Sequence, residues 1–301
     1  MHIQATIVLP AGFRLQDFLL FHGRDKQAVS EHVTPDSLQK AIVLKDHLAL
    51  LTLTFASARV HYTLNLDHAG ANITPEDANA LIRHILGLNQ AIEPFEQRYA
   101  SHPVIGRMVT AQSGLRVPVS VSPYEAVTWA ILAQQISLGA AASLRRRFIQ
   151  LADLRHSSGL YGYPSAAFVA GLTPERLREA GISQSKALAL IQVSQQIVSG
   201  NLPLNAWLQT ETLPQQEIVQ ALSAIKGIGP WTINYTLLRG YGWLDGSLHG
   251  DIVVRRAIRH LMMLDDLSEK EAAHWLQAYQ PWRALLAAHL WAWQHQLSRQ
   301  P

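Results

Sequence analysis

Strand-type patterning of apolar residues is confined to the part of this chain before residue 113. Before that point, residues 3–9 (IQATIVL) and 41–66 (AIVLKDHLALLTLTFASARVHYTLNL) are rich in β-branched and apolar side chains. Short polar interruptions at Lys45-Asp46-His47 and Ser57-Ala58 read as hairpin turns between strands. Residues 15–25 (LQDFLLFHGRD) carry Phe18, Leu19 and Phe21 as the anchors of a helix. Thr74-Pro75 opens another helix, with Thr74 at the N-cap and Pro75 in the first turn, running through DANALIRHILGL. Together these predict a small antiparallel sheet with helices.

Beyond it the strand signals vanish. Residues 101–123 carry Pro, Gly and Ser with little periodicity, and a domain connection is expected there. Ser122-Pro123-Tyr124-Glu125 reads as a capping box that opens one long helix, AVTWAILAQQISLGAAASLRRRFIQLA. Further helices are expected at 165–171, 174–181, 183–200, 214–227, 268–279 and 281–297. The expected fold class is α+β: a small antiparallel-sheet domain over residues 1–112, then an all-α domain over 113–301.

Length and composition bound the rest. With 301 residues and 48% hydrophobic content there is ample material for a core. A net charge of +3 is compatible with nucleic acid but does not point to it. Cysteine is absent, which excludes disulfides, thiolate zinc sites and a Cys-ligated iron–sulfur cluster. No apolar run approaches the length of a membrane span, and MHIQATIVLPAGFR lacks the apolar stretch of a signal peptide. A soluble, cytoplasmic monomer is expected.

The stretch 222–256 (LSAIKGIGPWTINYTLLRGYGWLDGSLHGDIVVRR) concentrates the chemistry. Leu222, Ile225 and Ile228 lead into Gly227-Ile228-Gly229-Pro230, and Trp231, Tyr235, Leu237 and Leu238 follow at helical spacing. The shape implied is helix, tight turn, helix, with two glycines that permit positive φ and a proline suited to a first turn. The second helix begins with free N–H groups and a positive dipole end, a ready anion site. A lone acid, Asp251, then stands between Gly250 and Ile252-Val253-Val254. On spacing alone it reads as the N-cap of a helix over IVVRRAIRHL.

This stretch resembles the helix-hairpin-helix and Gly-Pro-Asp signature of the base-excision DNA glycosylases. Ile131-Leu132-Ala133-Gln134-Gln135-Ile136-Ser137, the Gly-Ile-Gly-Pro-Trp-Thr hairpin, and the Pro281-Trp282-Arg283 through His289-Leu290-Trp291 ending occur in order. That arrangement is similar to the alkylation-repair branch, the DNA-3-methyladenine glycosylase II family. The likeness covers the helical domain well and the N-terminal domain in outline.

The resemblance implies roles for particular residues. Asp251 would be catalytic, stabilising the oxocarbenium-like sugar and orienting the attacking water. Trp231, Tyr235 and Trp291 would line a base pocket, where a flipped cationic alkylpurine stacks and gains cation–π attraction. Gln135 would fill the gap left by the flipped base; it reads equally well as an ordinary polar residue at a helix turn. The amides of Gly227, Gly229 and Trp231 would grip a phosphate, with the Thr232 hydroxyl in support. Main-chain carbonyls of Ser223, Ile225 and Ile228 would hold a monovalent cation, no other cofactor being required. Strand-nicking relatives carry a lysine directly after the hairpin proline, and here that residue is Trp231, which implies a monofunctional enzyme leaving an abasic site.

The expected partner is double-stranded DNA containing alkylated bases, with 3-methyladenine and 7-methylguanine as substrates. The alternatives are a glycosylase for deaminated purines and a non-catalytic lesion-binding protein of the same fold. Trp129, Trp243, Trp275, Trp282 and Trp293 read as core. Arg145-Arg146-Arg147 and Arg255, Arg256 and Arg259 are phosphate candidates, though a solvated face is the default for most. His249 and Gly250 depart from the family, which often has Pro and Asp there.

Overall fold

The computed structural model describes residues 2–67 and 72–297. Its N-terminal part is a five-stranded antiparallel sheet of order β1-β5-β4-β3-β2. The strands are β1 (His2–Val8), β2 (Glu31–Val33), β3 (Ser37–Leu44), β4 (His47–Ala56) and β5 (Arg59–Leu66). In β4, Ala49, Leu51, Leu53 and Phe55 alternate inward, and their β5 counterparts Val60, Tyr62, Leu64 and Leu66 are likewise buried. The hairpins close where the polar interruptions predict: Lys45-Asp46 and Ser57-Ala58 all have positive φ, without a glycine among them. Helices α1 (Leu15–His22) and α2 (Pro75–Ile85) cover the inner face through Phe18, Leu19, Leu81, Ile82 and Ile85.

The helical part comprises α3 (Glu93–Tyr99), α4 (Gly106–Ala111), α5 (Pro123–Ala133), α6 (Leu138–Leu151), α7 (Ala166–Ala170), α8 (Pro174–Glu179), α9 (Gln184–Val198), α10 (Leu204–Leu208), α11 (Gln215–Ser223), α12 (Pro230–Tyr241), α13 (Ile252–Leu261), α14 (Glu269–Gln277) and α15 (Arg283–Leu297). Two helical cores flank the central pair α5 and α12. Trp129, Ala130, Tyr235 and Leu238 face the core shared with α13 to α15. Val127, Ile131, Leu132, Ile233 and Leu237 face the other, shared with α7 to α11. Gly240 lets the pair approach closely: a Cβ there would sit 3.0 Å from the Cα of Pro123.

Three expectations are corrected. The connection expected over 101–123 contains α4, and Ile92, Phe95, Tyr99, Ile105, Met108, Val109, Leu115 and Val117 belong to the core of the C-terminal helices. Residues up to Leu86 pack with the sheet, and those from Ile92 pack with the C-terminal helices. The long helix after Ser122 is broken after Ala133, and Ser137 caps a new one, its hydroxyl accepting the Ala140 N–H at 3.3 Å. The capping box at Ser122 is only half made. Ser122 Oγ accepts the Glu125 N–H at 3.2 Å, but the Glu125 carboxylate turns inward instead of back to the cap.

There it joins a buried ion network between the two parts. Lys40 Nζ lies 2.6 Å from Glu31 Oε1 and 2.8 Å from Glu125 Oε1; Arg145 Nη2 lies 3.0 and 2.6 Å from the same two oxygens. Burial alone would raise both carboxyls, yet the Arg145 and Lys40 cations hold Glu31 well below the usual range and Glu125 below it. Arg146 pairs with Asp25 at 2.8 Å, and Arg147 donates to the Ala180 carbonyl at 2.6 Å. The arginine run therefore faces protein, not phosphate.

Candidate active site and nucleic-acid interface

The turn between α11 and α12 is built by two glycines with different reasons to be there. Gly227 has φ +90°, a conformation L side chains rarely adopt. Gly229 is extended at φ −99° and needs no such freedom. What it offers is space: a Cβ built there meets nothing within 4 Å, so the backbone lies open to an incoming group. Pro230 occupies the first turn, as predicted, and the amides of Trp231 and Thr232 head the helix. The Thr232 side chain is turned away from this opening. It is 2% exposed, and its hydroxyl accepts the Gln134 amide at 2.9 Å.

Gln134 was not singled out by its sequence context, which reads as helix interior. Its side-chain NH2 donates both to Thr232 Oγ1 and to the Gly227 carbonyl, each at 2.9 Å. This clamp draws the 134–137 turn onto the hairpin and ends α5. Gln135, next in line, is exposed and held at φ +57°. Two exposed apolar side chains, Ile136 and Leu138, follow it. The break in the helix thus lifts Gln135 out beside the hairpin.

Along α12, Trp231, Tyr235 and Arg239 recur every fourth residue on one face. Trp231 and Tyr235 rings lie 5.1 Å apart, and Tyr235 lies 6.2 Å from Trp291 of α15. The three residues expected to form a pocket are therefore brought together. Tyr235 is fixed from behind, its hydroxyl accepting the Trp129 indole N–H at 2.8 Å. Trp129 is buried, as its sequence context predicts, and it also orients this ring. Arg239 completes this face, and one arginine in an apolar helix gives no sign in the sequence of what it meets.

Asp251 joins this group. It is the N-cap of α13, and Oδ1 accepts the N–H groups of Val253 at 2.9 Å and Val254 at 3.0 Å. The same oxygen accepts the Trp291 indole N–H at 3.2 Å, and Oδ2 accepts the Trp231 indole N–H at 3.0 Å. Cap and active-site placement coincide: the helix end fixes the carboxylate, and two indoles aim it across the aromatic set. An anchored, half-buried carboxylate beside planar rings is suited to stabilise positive charge that develops next to a stacked base. His249 accompanies it on the approach loop, with Ser247 Oγ 2.8 Å from Nδ1 and Glu269 Oε1 3.7 Å from Nε2.

The carbonyls of Ser223, Ile225 and Ile228 lie in the hairpin; that of Ile225 also accepts the Ile228 N–H at 3.1 Å. Among the described residues no cluster of His, Cys, Asp or Glu could hold a metal ion. No described helix is long and apolar enough to cross a membrane.

The sheet followed by paired helices, the open glycine hairpin and the carboxylate anchored against aromatic rings are the features that the resemblance to the base-excision glycosylases implies. The family model for the HhH-GPD superfamily of base excision DNA repair proteins matches residues 128–283, and the chain belongs to that superfamily. It is similar to DNA-3-methyladenine glycosylase 2 of Escherichia coli (strain K12), 28% identical over 191 residues, 62% of this chain and 63% of that one. The match thus spans less than two thirds of that relative's length. A DNA-3-methyladenine glycosylase of Bacillus subtilis (strain 168) is 23% identical over 292 residues, 95% of each chain. Among solved structures, a 3-methyladenine DNA glycosylase from Archaeoglobus fulgidus shares the fold, with a TM-score of 0.80 at 21% identity over 97% of this chain and 98% of that one.

Proposed function

We propose that this protein is a monofunctional DNA glycosylase of base excision repair. It flips alkylated purines such as 3-methyladenine and 7-methylguanine from the duplex and hydrolyses the N-glycosidic bond to leave an abasic site. The observation that carries the reading is the Asp251 carboxylate, held by the Trp231 and Trp291 indoles and two α13 amides at the edge of the aromatic set. A binding protein has no need of an acid fixed there; a reaction with an oxocarbenium-like transition state does.

The hairpin amides around Gly227, Gly229 and Trp231 grip a phosphate. A cation on the Ser223, Ile225 and Ile228 carbonyls would add positive charge beside it. Gln135, lifted out by the broken helix, enters the space vacated by the flipped base, and its amide meets the orphaned partner. Trp231 stands where strand-nicking enzymes need an amine, so no Schiff base forms and the strand is left intact.

The test is release of free bases from methylated duplex DNA, followed by chromatography, with inosine-containing duplex in parallel. Free 3-methyladenine and 7-methylguanine from the wild type, lost in Asp251→Asn, support the reading. Release from inosine DNA alone favours the deaminated-purine enzyme. Binding to abasic DNA with no release from either substrate favours the non-catalytic protein.

A further inference from the structure

Arg239 is a buried cation with no carboxylate to balance it. It is 5% exposed, one Nη donates to the Pro118 carbonyl at 2.9 Å, and Nε has no partner. Among the described residues it makes no ion pair. Its environment is aromatic: the guanidinium carbon lies 4.4 Å from the Phe21 ring centre, 5.4 Å from Trp291 and 6.0 Å from Tyr235. Phe21 comes from the N-terminal part and also lies 4.5 Å from the guanidinium of Arg24, a second cation. Burial lowers the Arg239 group to about 10, which leaves it charged at neutral pH.

The consequence concerns what the rings can attract. An aromatic face draws cations because its quadrupole is negative there. Arg239 already occupies that attraction from inside, leaving to an entering base the faces turned toward solvent. A base stacked about 3.5 Å beyond Trp291 would bring its charge to roughly 9 Å from the guanidinium, across protein rather than water. Two like charges at that distance repel, and at an effective dielectric near 20 the effect is about twentyfold in relative affinity. A neutral base feels none of it.

We propose that Arg239 sets the charge selectivity of the aromatic pocket: its guanidinium behind Trp291 and Tyr235 cancels much of the pocket's preference for cationic bases, so uncharged purine lesions compete on near-equal terms. The proposal rests on Trp231, Tyr235 and Trp291 being the base pocket. It also gives the N-terminal part a role at the site, since Phe21 covers the guanidinium from below.

The experiment compares wild type with Arg239→Met and Arg239→Lys in two assays. In the first, 7-methylguanine, a cation in DNA, and neutral hypoxanthine are released by the same preparation, and the ratio of kcat/KM values is read. A ratio is independent of the fraction of protein correctly folded. Arg239→Met should raise the cation-to-neutral ratio about twentyfold, and Arg239→Lys should stay near wild type. In the second, N-methylquinolinium and its neutral analogue quinoline quench tryptophan fluorescence, and Arg239→Met should shift the ratio of their Kd values toward the cation by a similar factor. An unchanged quenching ratio in Arg239→Met, or quenching by neither probe, overturns the proposal. A shifted quenching ratio in a protein that releases no base from any DNA retains the charge effect and refutes the glycosylase reading instead.

Discussion

The Trp231 indole donates its N–H to Asp251 Oδ2 at 3.0 Å, so one side chain belongs both to the ring surface and to the carboxylate's anchorage. Asp251→Asn separates the two duties of the acid. Asparagine caps helices as well as aspartate but turns an NH2 toward the Trp231 indole N–H, so thermal stability should fall by about 1–3 kcal/mol. Base release should fall by a factor on the order of 100 or more, because an amide cannot offset the sugar's positive charge. Single-turnover release from methylated DNA together with a melting curve checks both. Full release by the variant refutes the catalytic role.

Trp231 makes a second prediction, on reaction type. Sodium borohydride traps a Schiff base between a lysine and an opened sugar. The wild-type protein should give no covalent adduct with lesion-bearing DNA, and its abasic product should stay uncut until treated with alkali. Trp231→Phe keeps a ring but loses the indole N–H; it should slow release about tenfold while leaving the absence of nicking unchanged. A trapped adduct in the wild type overturns the monofunctional reading.

Gln134→Ala removes the clamp between the 134–137 turn and the hairpin. Two neutral hydrogen bonds of net value about 1 kcal/mol each are lost, and the turn carrying Gln135 is freed. Affinity for abasic-site duplex should drop several-fold, up to about tenfold. A titration with fluorescently labelled duplex measures it, and unchanged affinity would show that the clamp does not position the turn for DNA.

Glu125→Gln leaves Lys40 and Arg145 facing Glu31 alone in a buried setting. Breaking a buried ion network from one side typically costs about 3–5 kcal/mol. The midpoint of urea denaturation should fall accordingly. A shift below about 1 kcal/mol would mean that water reaches the network.

Acid should weaken the fold before any carboxylate is involved. Burial lowers His84 to about 4 and His289 to about 3, against an ordinary value near 6.5. Below 6.5 the unfolded chain takes up protons that the folded chain refuses, so stability is full above 6.5 and declines as pH falls toward the folded values. By pH 5 each histidine accounts for a loss on the order of 2 kcal/mol. Glu31 and Glu125, held low when folded, add to the loss only below about 4.5. Melting temperatures between pH 7 and 5 should decline, and His289→Gln should make the slope shallower. A flat profile in the wild type would refute this.

The sequence shows the elements more clearly than their contacts. Alternation in β4 and β5, the two polar turns, and the Gly-Ile-Gly-Pro hairpin are local patterns, and each appears where its chemistry predicts. The residues meant for a pocket converge because helical spacing fixes Trp231 and Tyr235 on one face, and α15 carries Trp291 against them. What stayed hidden is long-range. Gln134 reads as helix because its partners lie more than ninety residues on, at Gly227 and Thr232. Glu125 reads as a capping residue because nothing nearby announces Lys40. The 101–123 stretch lacks periodicity since it is buried by irregular backbone, with Gln90 pairing twice to Val117 at 2.8 Å.

The buried ion network also bears on how the chain assembles as it is made. Glu31 and Lys40 are cross-strand partners in β2 and β3, while Glu125 and Arg145 sit on α5 and α6. Each half thus brings one acid and one base to the network, a pair whose charges cancel. When the sheet leaves the ribosome ahead of the helices, it can close its own pair and wait without a stranded charge. The later meeting of the halves rearranges two satisfied pairs into one cluster, so a halted or slow synthesis leaves no half-molecule seeking a counter-ion from elsewhere.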